Sequence, residues 1–333
     1  MRAGGLVEVL KQATAFDHPW VDTDVGPMED AALVRPEAGR LLAFTVDFIT
    51  PNVDDPETFG AIAAANSLSD VYAMGGEPQV ALAICGFPDG EVERDVIARI
   101  FQGGRDKAVE AGCAVAGGHT MLDPELKYGL CVLGSVDPAR RLVQSGARVG
   151  DRLVLTKPIG VGIAGQAIKK GRLSAAQCDE VVRSMVQLNR GAKDAALAAG
   201  ARAATDVTGF GLLGHLRQLV LAAGAGARLA AGAVPIFDFV RPLAEAGLMP
   251  GGSRRNLEDV APSTSFEASL GEIERLILSD AQTSGGLLIA VAPEKQAQLL
   301  AELERHKTLS RAVVGEVIEA EAGRLEVVAG DRL

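Results

Sequence analysis

Apolar and polar positions alternate along the chain in blocks that read as strands and helices in mixed order. Residues 41–47, LLAFTVD, read as a strand that ends on an acid. The spacing predicts a helix over 58–74, TFGAIAAANSLSDVYAM, stopped by Gly75, Gly76 and Pro78. A buried strand over 79–86 and a helix over 91–111 follow, the helix with Val92, Val96 and Ile100 on one face. Residues 113–116 and 128–136 read as further strands. Around 146–151 the pattern relaxes into a polar, Gly-containing connection, which predicts a domain boundary dividing the chain into 1–150 and 151–333. Beyond it the pattern predicts a strand over 153–156, a long helix over 178–198, and a strand over 202–206 that again ends on an acid. A helix over 209–221, a strand over 285–291, a helix over 293–306 and a closing hairpin of 312–318 with 324–328 complete the reading. Strands and helices do not alternate as a doubly wound sheet requires, so two α+β domains with mixed sheets are expected.

Composition narrows the function classes. With 333 residues and 48% apolar side chains the chain can bury two cores. Aromatics make up only 4% against 39 glycines, so small residues do much of the packing. A formal charge of −10 argues against nucleic acid as a partner, because phosphate-backbone binding needs a basic stripe. No segment approaches the ~18–20 uninterrupted apolar residues of a membrane span; the best candidate, 210–235, is broken by His215, Arg217, Gln218 and Arg228. The start MRAGGLVEVLKQ has no long apolar core of a secretory signal. Cys85, Cys113, Cys131 and Cys178 form no CxxC pair and read as buried thiols of a reducing compartment, so a cytoplasmic protein without a membrane partner is expected.

The P-loop and zincin motifs are absent: there is no GxxxxGK[ST] and no HExxH. What remains is a set of acids at element ends. Asp30 lies in PMEDAAL, Asp47 closes a strand, Asp70 sits late in a helix, and Asp206 ends a strand before a Gly-rich turn. Hard oxygen donors of this kind suit Mg2+, which keeps several waters and bridges a few carboxylates to phosphate oxygens. Each could instead be a helix cap or a solvated turn residue. Asn66 and Asp70, four apart on one face of an otherwise apolar helix, favour a ligand or a satisfied buried pair. Three Gly-rich segments, 116–120 (AGGHT), 206–211 (DVTGFG) and 282–286 (QTSGG), look like sites of close backbone approach. His119 fits either a nucleotide contact or a turn, and His215 reads as a helix-face residue.

The combination EDAAL (29–33), TVDFITPNVDDPETFGAIAAANSLSDVYAMGGEP (45–78), AGGHT (116–120), LTKPIGVG (155–162), TDVTGFGLLGH (205–215), PGGSRRN (250–256) and DAQTSGGLL (280–288) resembles selenophosphate synthetase, also called selenide, water dikinase. The match runs in order across nearly the whole chain. The resemblance implies the α+β fold of the aminoimidazole ribonucleotide synthetase-like ATP-binding superfamily, with residues 1–150 as an ATP-binding and dimerisation domain and 151–333 as the C-terminal domain. It implies a reaction in which ATP, selenide and water give selenophosphate, orthophosphate and AMP. A homodimer is implied too, with ATP near its interface. Asp30, Asp70 and Asp206 match the magnesium-binding acids. Pro27, Met28, Glu29, Asp30, Asp47 and Asp70 match nucleotide contacts, and Asn66 a polar active-site position. Gly118, His119 and Thr120 match a loop that reaches the nucleotide across the dimer. Pro27-Met28 is less polar than the family pattern, which implies backbone contacts there.

The family also uses a Gly-rich N-terminal segment with a Cys or selenocysteine and a Lys shortly after it. Aligning Leu6-Val7-Glu8-Val9-Leu10 with the first family helix puts both before Met1, so no catalytic residue of that segment is assigned within 1–333. The expectation is that the natural protein starts further upstream with selenocysteine there, its UGA codon read as a stop. A deliberate truncation or a plain upstream Cys are the competing versions. On this reading the chain folds and binds Mg–ATP yet makes little selenophosphate. The alternative is a non-catalytic Mg–ATP-binding paralogue that acts through dimerisation.

Overall fold

The computed structural model describes residues 19–21, 29–37 and 39–331; Pro27 and Met28 lie outside them. The first half runs β1 (Ala32–Glu37), β2 (Arg40–Ile49), α1 (Pro56–Ala73), β3 (Glu77–Phe87), α2 (Arg94–Glu110), β4 (Ala114–Leu122) and β5 (Lys127–Val136). These strands form a sheet in the order β1-β2-β5-β3-β4, antiparallel except for the β3–β4 pair. Helix α1 starts where Asp55 accepts the Thr58 N–H at 2.8 Å, with Pro56 in the first turn. It ends at Gly75, whose φ of +76° an L side chain resists. Apolar or small nearly all round, α1 is buried between the sheet and α2.

The second half runs β6 (Arg152–Leu155), α3 (Val161–Lys169), α4 (Ala175–Val186), α5 (Arg190–Ala199), β7 (Ala203–Asp206), α6 (Gly211–Ala222), β8 (Gly226–Ala230) and α7 (Val240–Glu245). It continues with α8 (Gly251–Val260), β9 (Thr264–Phe266), α9 (Glu272–Leu278), β10 (Leu287–Val291), α10 (Gln296–Arg305), β11 (Ala312–Ile318) and β12 (Leu325–Val328). Seven strands make a mixed sheet ordered β7-β10-β6-β11-β8-β12-β9, with β12 parallel to both its neighbours. Its central strands are apolar on both faces: Leu288 and Ala290 pack into one core, Leu287, Ile289 and Val291 into another beneath α5 and α10. No helix among the described residues is long and apolar enough to cross a membrane.

Three expectations need correction. The helix over 178–198 is two helices, broken at Gln187-Leu188-Asn189 without a Gly or Pro; Gln187 turns extended and its carbonyl accepts from Lys157 Nζ at 2.7 Å. Tertiary bonds, which leave no local signal, break the helix there. The last two strands are not a hairpin. β8 lies between them, antiparallel to β11 and parallel to β12, because both bury apolar side chains against it. The AGGHT segment is no loop but part of β4. Where β3 and β4 change register, Gly117 has φ +140° and a Cβ on Gly118 would meet the Ala83 carbonyl at 2.1 Å. Those glycines serve a bulge within a sheet.

The crossing of α1 and α2 depends on absent side chains. A Cβ on Gly103 would lie 1.9 Å from the Glu57 carbonyl, and one on Gly60 2.0 Å from that of Ile100. Gly103→Ala is expected to destabilise by about 1–3 kcal/mol, since backbone must move. Gly165→Ala in α3, where nothing lies within 4 Å of a new Cβ, should leave stability unchanged or slightly raised. Denaturant titration of the two variants checks this, and equal midpoints would contradict it.

Candidate functional site

The inward row of β2 changes chemistry along its length. Leu41 and Ala43 are buried against α1, and the next inward positions are Thr45 and Asp47. Helix α1 presents Asn66 and Asp70, one turn apart, to this polar end. Asn66 Nδ2 donates to Asp47 Oδ2, while Asp47 Oδ1 accepts the Phe48 N–H at 2.9 Å. Thr45 Oγ1 donates to Asp70 Oδ2 at 2.5 Å. Asn66 Oδ1 accepts the Ser284 N–H at 2.7 Å, a bond that joins the first half of the chain to the second.

Asp206 comes from the other side, as the last residue of β7, the edge strand of the larger sheet. The Ser69 hydroxyl on α1 donates to it, and Asn189 holds Ser69 Oγ and the Gly285 carbonyl, each at 2.9 Å. Asp30 enters just before β1; its Oδ1 accepts from Thr205 Oγ1 at 2.8 Å and Gln144 Nε2 at 3.4 Å. Its neighbour Glu29 accepts the Gln144 N–H at 3.0 Å.

Four carboxylates thus meet from four separate segments with too little positive charge among them. Burial, then the charge of Asp206, pushes the carboxyls of Asp30 and Asp70 well above the usual range. The same causes push Asp47 up to about 6. Burial pushes Asp206 up to about 6 as well, offset in part by Ser69 and by Lys157. Burial also raises Glu29. Asp30 Oδ2 and Asp206 Oδ2 are buried with no hydrogen-bond partner among the described residues, a costly arrangement for carboxylates left alone. Hard oxygen donors with unspent lone pairs suit a hard divalent cation. No three His, Cys, Asp or Glu side chains among the described residues close on one point as a finished metal cage. A cation that keeps waters and shares its ligands with phosphate needs none, so the donor set fits it.

Of the residues singled out in the sequence, the structure brings together Asp30, Asp47, Asn66, Asp70 and Asp206, with Glu29 beside Asp30. It does not bring Gly118, His119 and Thr120 there: they are exposed on β4, with β3 and β5 between them and β2. His215 is buried on α6 with its imidazole pushed down to about 4 by burial, Nε2 against Thr208 Oγ1 at 3.2 Å. Among the cysteines, burial pushes the thiols of Cys85 and Cys113 up to about 12 and about 11 and also raises Cys131. Such thiols are poor nucleophiles. Sequence reading missed the groups that hold the acids: Thr45, Ser69, Thr205, Asn189, Ser284 and Lys157. Ser69 carried a signal, as a polar residue inside an apolar helix; the others act across segments far apart in the chain.

The sequence matches the AIR synthase related protein N-terminal domain over residues 28–136 and its C-terminal domain over 148–328. The selenide, water dikinase of Pelobacter propionicus is 45% identical over 302 residues, covering 90% of this chain and 86% of the relative. That of Paraburkholderia xenovorans is 43% identical over 328 residues, covering 98% and 92%. Among solved structures, hydrogenase maturation protein HypE in complex with ATP superposes with a TM-score of 0.68 over 99% of this chain and 92% of that one, at 19% identity, a likeness of fold. With both domain matches spanning its two sheets and relatives this similar along nearly its full length, the chain belongs to the AIR synthase related proteins and, within them, to the selenide, water dikinase family.

Proposed function

We propose that this protein is a phosphotransferase that makes selenophosphate from ATP, selenide and water, releasing AMP and orthophosphate. The observation that carries the reading is the convergence of Asp30, Asp47, Asp70 and Asp206, with two carboxylate oxygens left unpartnered among the described residues. Asp30, Asp70 and Asp206 would hold Mg2+, which supplies charge neutralisation to the triphosphate. Phosphoryl transfer depends chiefly on positioning and charge, so the protein's part is to aim these oxygens and to keep them from relaxing apart. Pro27, Met28, Glu29, Asp47 and Asn66 would line the nucleotide around them. HypE, which has the same fold, holds ATP in its crystal structure, and that supports a nucleotide here.

A homodimer belongs to this reading. The outer face of the smaller sheet carries Phe44, Val46 and Phe48 about half exposed, with Leu82 across β5 from Val46. A contiguous apolar face of this kind is an association surface. The family resemblance has Gly118, His119 and Thr120 reach the nucleotide across such a dimer. Residues 1–150 would then form the ATP-binding and dimerisation domain and 151–333 the C-terminal α+β domain, in a cytoplasmic protein. The cysteines favour a second reading for residues 1–333 by themselves: with Cys85 and Cys113 buried and high in pKa, the chain would bind Mg–ATP as a non-catalytic paralogue does.

Each raised carboxylate binds its proton more tightly folded than unfolded, so its contribution to stability falls as pH rises, for Asp47 and Asp206 between about 4 and about 6. His215, with its lowered value, acts in the opposite sense over that range. The increment produced by a cation isolates the acids. Mg2+ should raise Tm more at pH 7.5, above the values of Asp47 and Asp206, than at pH 5, where protons compete with it. Thermal denaturation with and without millimolar Mg2+ checks this, and an increment independent of pH would contradict it.

Turnover is tested by following AMP formation from ATP with and without selenide. Two chains are compared: residues 1–333, and the same chain extended upstream by a Gly-rich segment with Cys or selenocysteine followed by Lys. The expected result is Mg–ATP binding by both and selenide-dependent AMP only from the extended one. Binding without turnover by the extended chain would support the paralogue reading, and failure of both to bind Mg–ATP would refute each.

A further inference from the structure

Two segments of the C-terminal half lie side by side, and one grips the other at every second residue. The gripping segment, residues 155–163, connects β6 to α3; the gripped one, 280–286, connects α9 to β10. The Gly162 and Ile163 amides, the latter at 3.1 Å, donate to the Asp280 carboxylate. The Gly160 and Val161 amides donate to Gln282 Oε1 at 3.0 and 3.1 Å. Lys157 Nζ donates to the Ser284 carbonyl at 2.7 Å. The amides that open α3 follow a Gly-rich turn and would suit an anion, but Asp280 and Gln282 already occupy them. This segment is therefore a holder of its neighbour and has no amides to offer a phosphate.

Lys157 is the unusual member. It is only 2% exposed, and its second bond, to the Gln187 carbonyl at 2.7 Å, ties the same ammonium to the break between α4 and α5. Ser284, which it holds, has φ +49°, a left-handed conformation that costs energy for a residue with a side chain and persists only where surrounding bonds enforce it. With its carbonyl fixed to Lys157, the Ser284 N–H is turned toward Asn66 Oδ1 at 2.7 Å, and Asn66 Nδ2 donates to Asp47. One continuous chain of hydrogen bonds so runs from Lys157 through Ser284 and Asn66 to a carboxylate on the other sheet.

We propose that Lys157 is a positioning residue for the nucleotide site: by clamping the Ser284 carbonyl it aims the Ser284 N–H at Asn66, and through Asn66 it fixes the Asp47 carboxylate. This rests on the nucleotide reading above and assigns a residue to the control of that site. Both hydrogen bonds of its ammonium go to backbone carbonyls, so it acts on the site through other residues. The consequence is that the C-terminal half sets the geometry with which the N-terminal half grips its ligand. Loss of either Lys157 or Asn66 breaks the same chain, and once one is lost the other has nothing left to transmit.

The test is a double-mutant cycle on the 333-residue chain. Isothermal titration of a non-hydrolysable ATP analogue in excess Mg2+ is performed on wild type, Lys157→Met, Asn66→Ala and the double variant. Each single change should weaken binding about tenfold or more, and the double should be no weaker than the weaker single by more than about threefold. A purely structural lysine would give losses that multiply, or lower stability with Kd unchanged; either result overturns the proposal. Should the Met variant fail to fold, Gln282→Ala takes its place in the cycle with the same expectation, since it loosens the gripped segment without stranding a buried charge. A wild-type chain that does not bind the analogue refutes the nucleotide reading and this inference with it. A binding wild type with an additive cycle refutes this inference alone.

Discussion

Mutual repulsion among four carboxylates, Asp206 buried and Asp30, Asp47 and Asp70 partly buried, is the constraint around which this fold is arranged. Asp30 enters before β1, Asp47 lies near the end of β2, Asp70 on α1 and Asp206 at the end of β7; Asp206 raises the cost of ionising the other three, and Asp30 and Asp47 raise that of Asp70. A protein selected for stability alone would not bury them together, because unpaired buried charge is among the more expensive features a chain can carry. Their cost is contained by neutral donors: Thr45 on Asp70, Thr205 on Asp30, Ser69 on Asp206 and Asn66 on Asp47. These bonds orient the oxygens without neutralising them, so the attraction for a cation is kept. Among the described residues only Lys157 brings a positive charge near these four, and burial pushes its own ammonium down to about 7.

The site exists only where the two sheets meet. The smaller sheet supplies the row Thr45–Asp47 and the face of α1, and the larger one supplies Asp206, Thr205 and the Ser284 amide. Asn189, at the break between α4 and α5, bonds both Ser69 of one half and Gly285 of the other. Any relative motion of the halves would therefore change the spacing of the acids. The apolar packing on both faces of the larger sheet gives the rigid background that holding like charges together demands.

Much of the architecture was legible because it is periodic. The buried helix 58–74 shows as an apolar run ended by glycines, and the irregular order of strands and helices excludes a doubly wound sheet. That Asp206 sits at a strand end follows from the same pattern, whereas the strand read as ending on Asp47 runs on to Ile49. The meeting of the two acids does not follow from it, because proximity between residues 47 and 206 is a property of packing and has no local trace. The break at Gln187-Asn189 was hidden for the same reason: the bonds that interrupt the helix come from Lys157 and go to Ser69 and Gly285. AGGHT misled in the opposite way, since glycines that signal a loop here allow β4 to bulge against β3. Strands β8 and β9, short and Ala- or Thr-containing, carried too little pattern to be seen, so the closing pair was read as a hairpin.

The most direct measurement is a crystal structure of the chain with Mg2+ and a non-hydrolysable ATP analogue. The account predicts ions within about 2.1 Å of Asp30 Oδ2 and Asp206 Oδ2, bridged to phosphate oxygens, with Asp47 still bonded to Asn66. Nucleotide and metal bound elsewhere, with those two oxygens still unliganded, would contradict it.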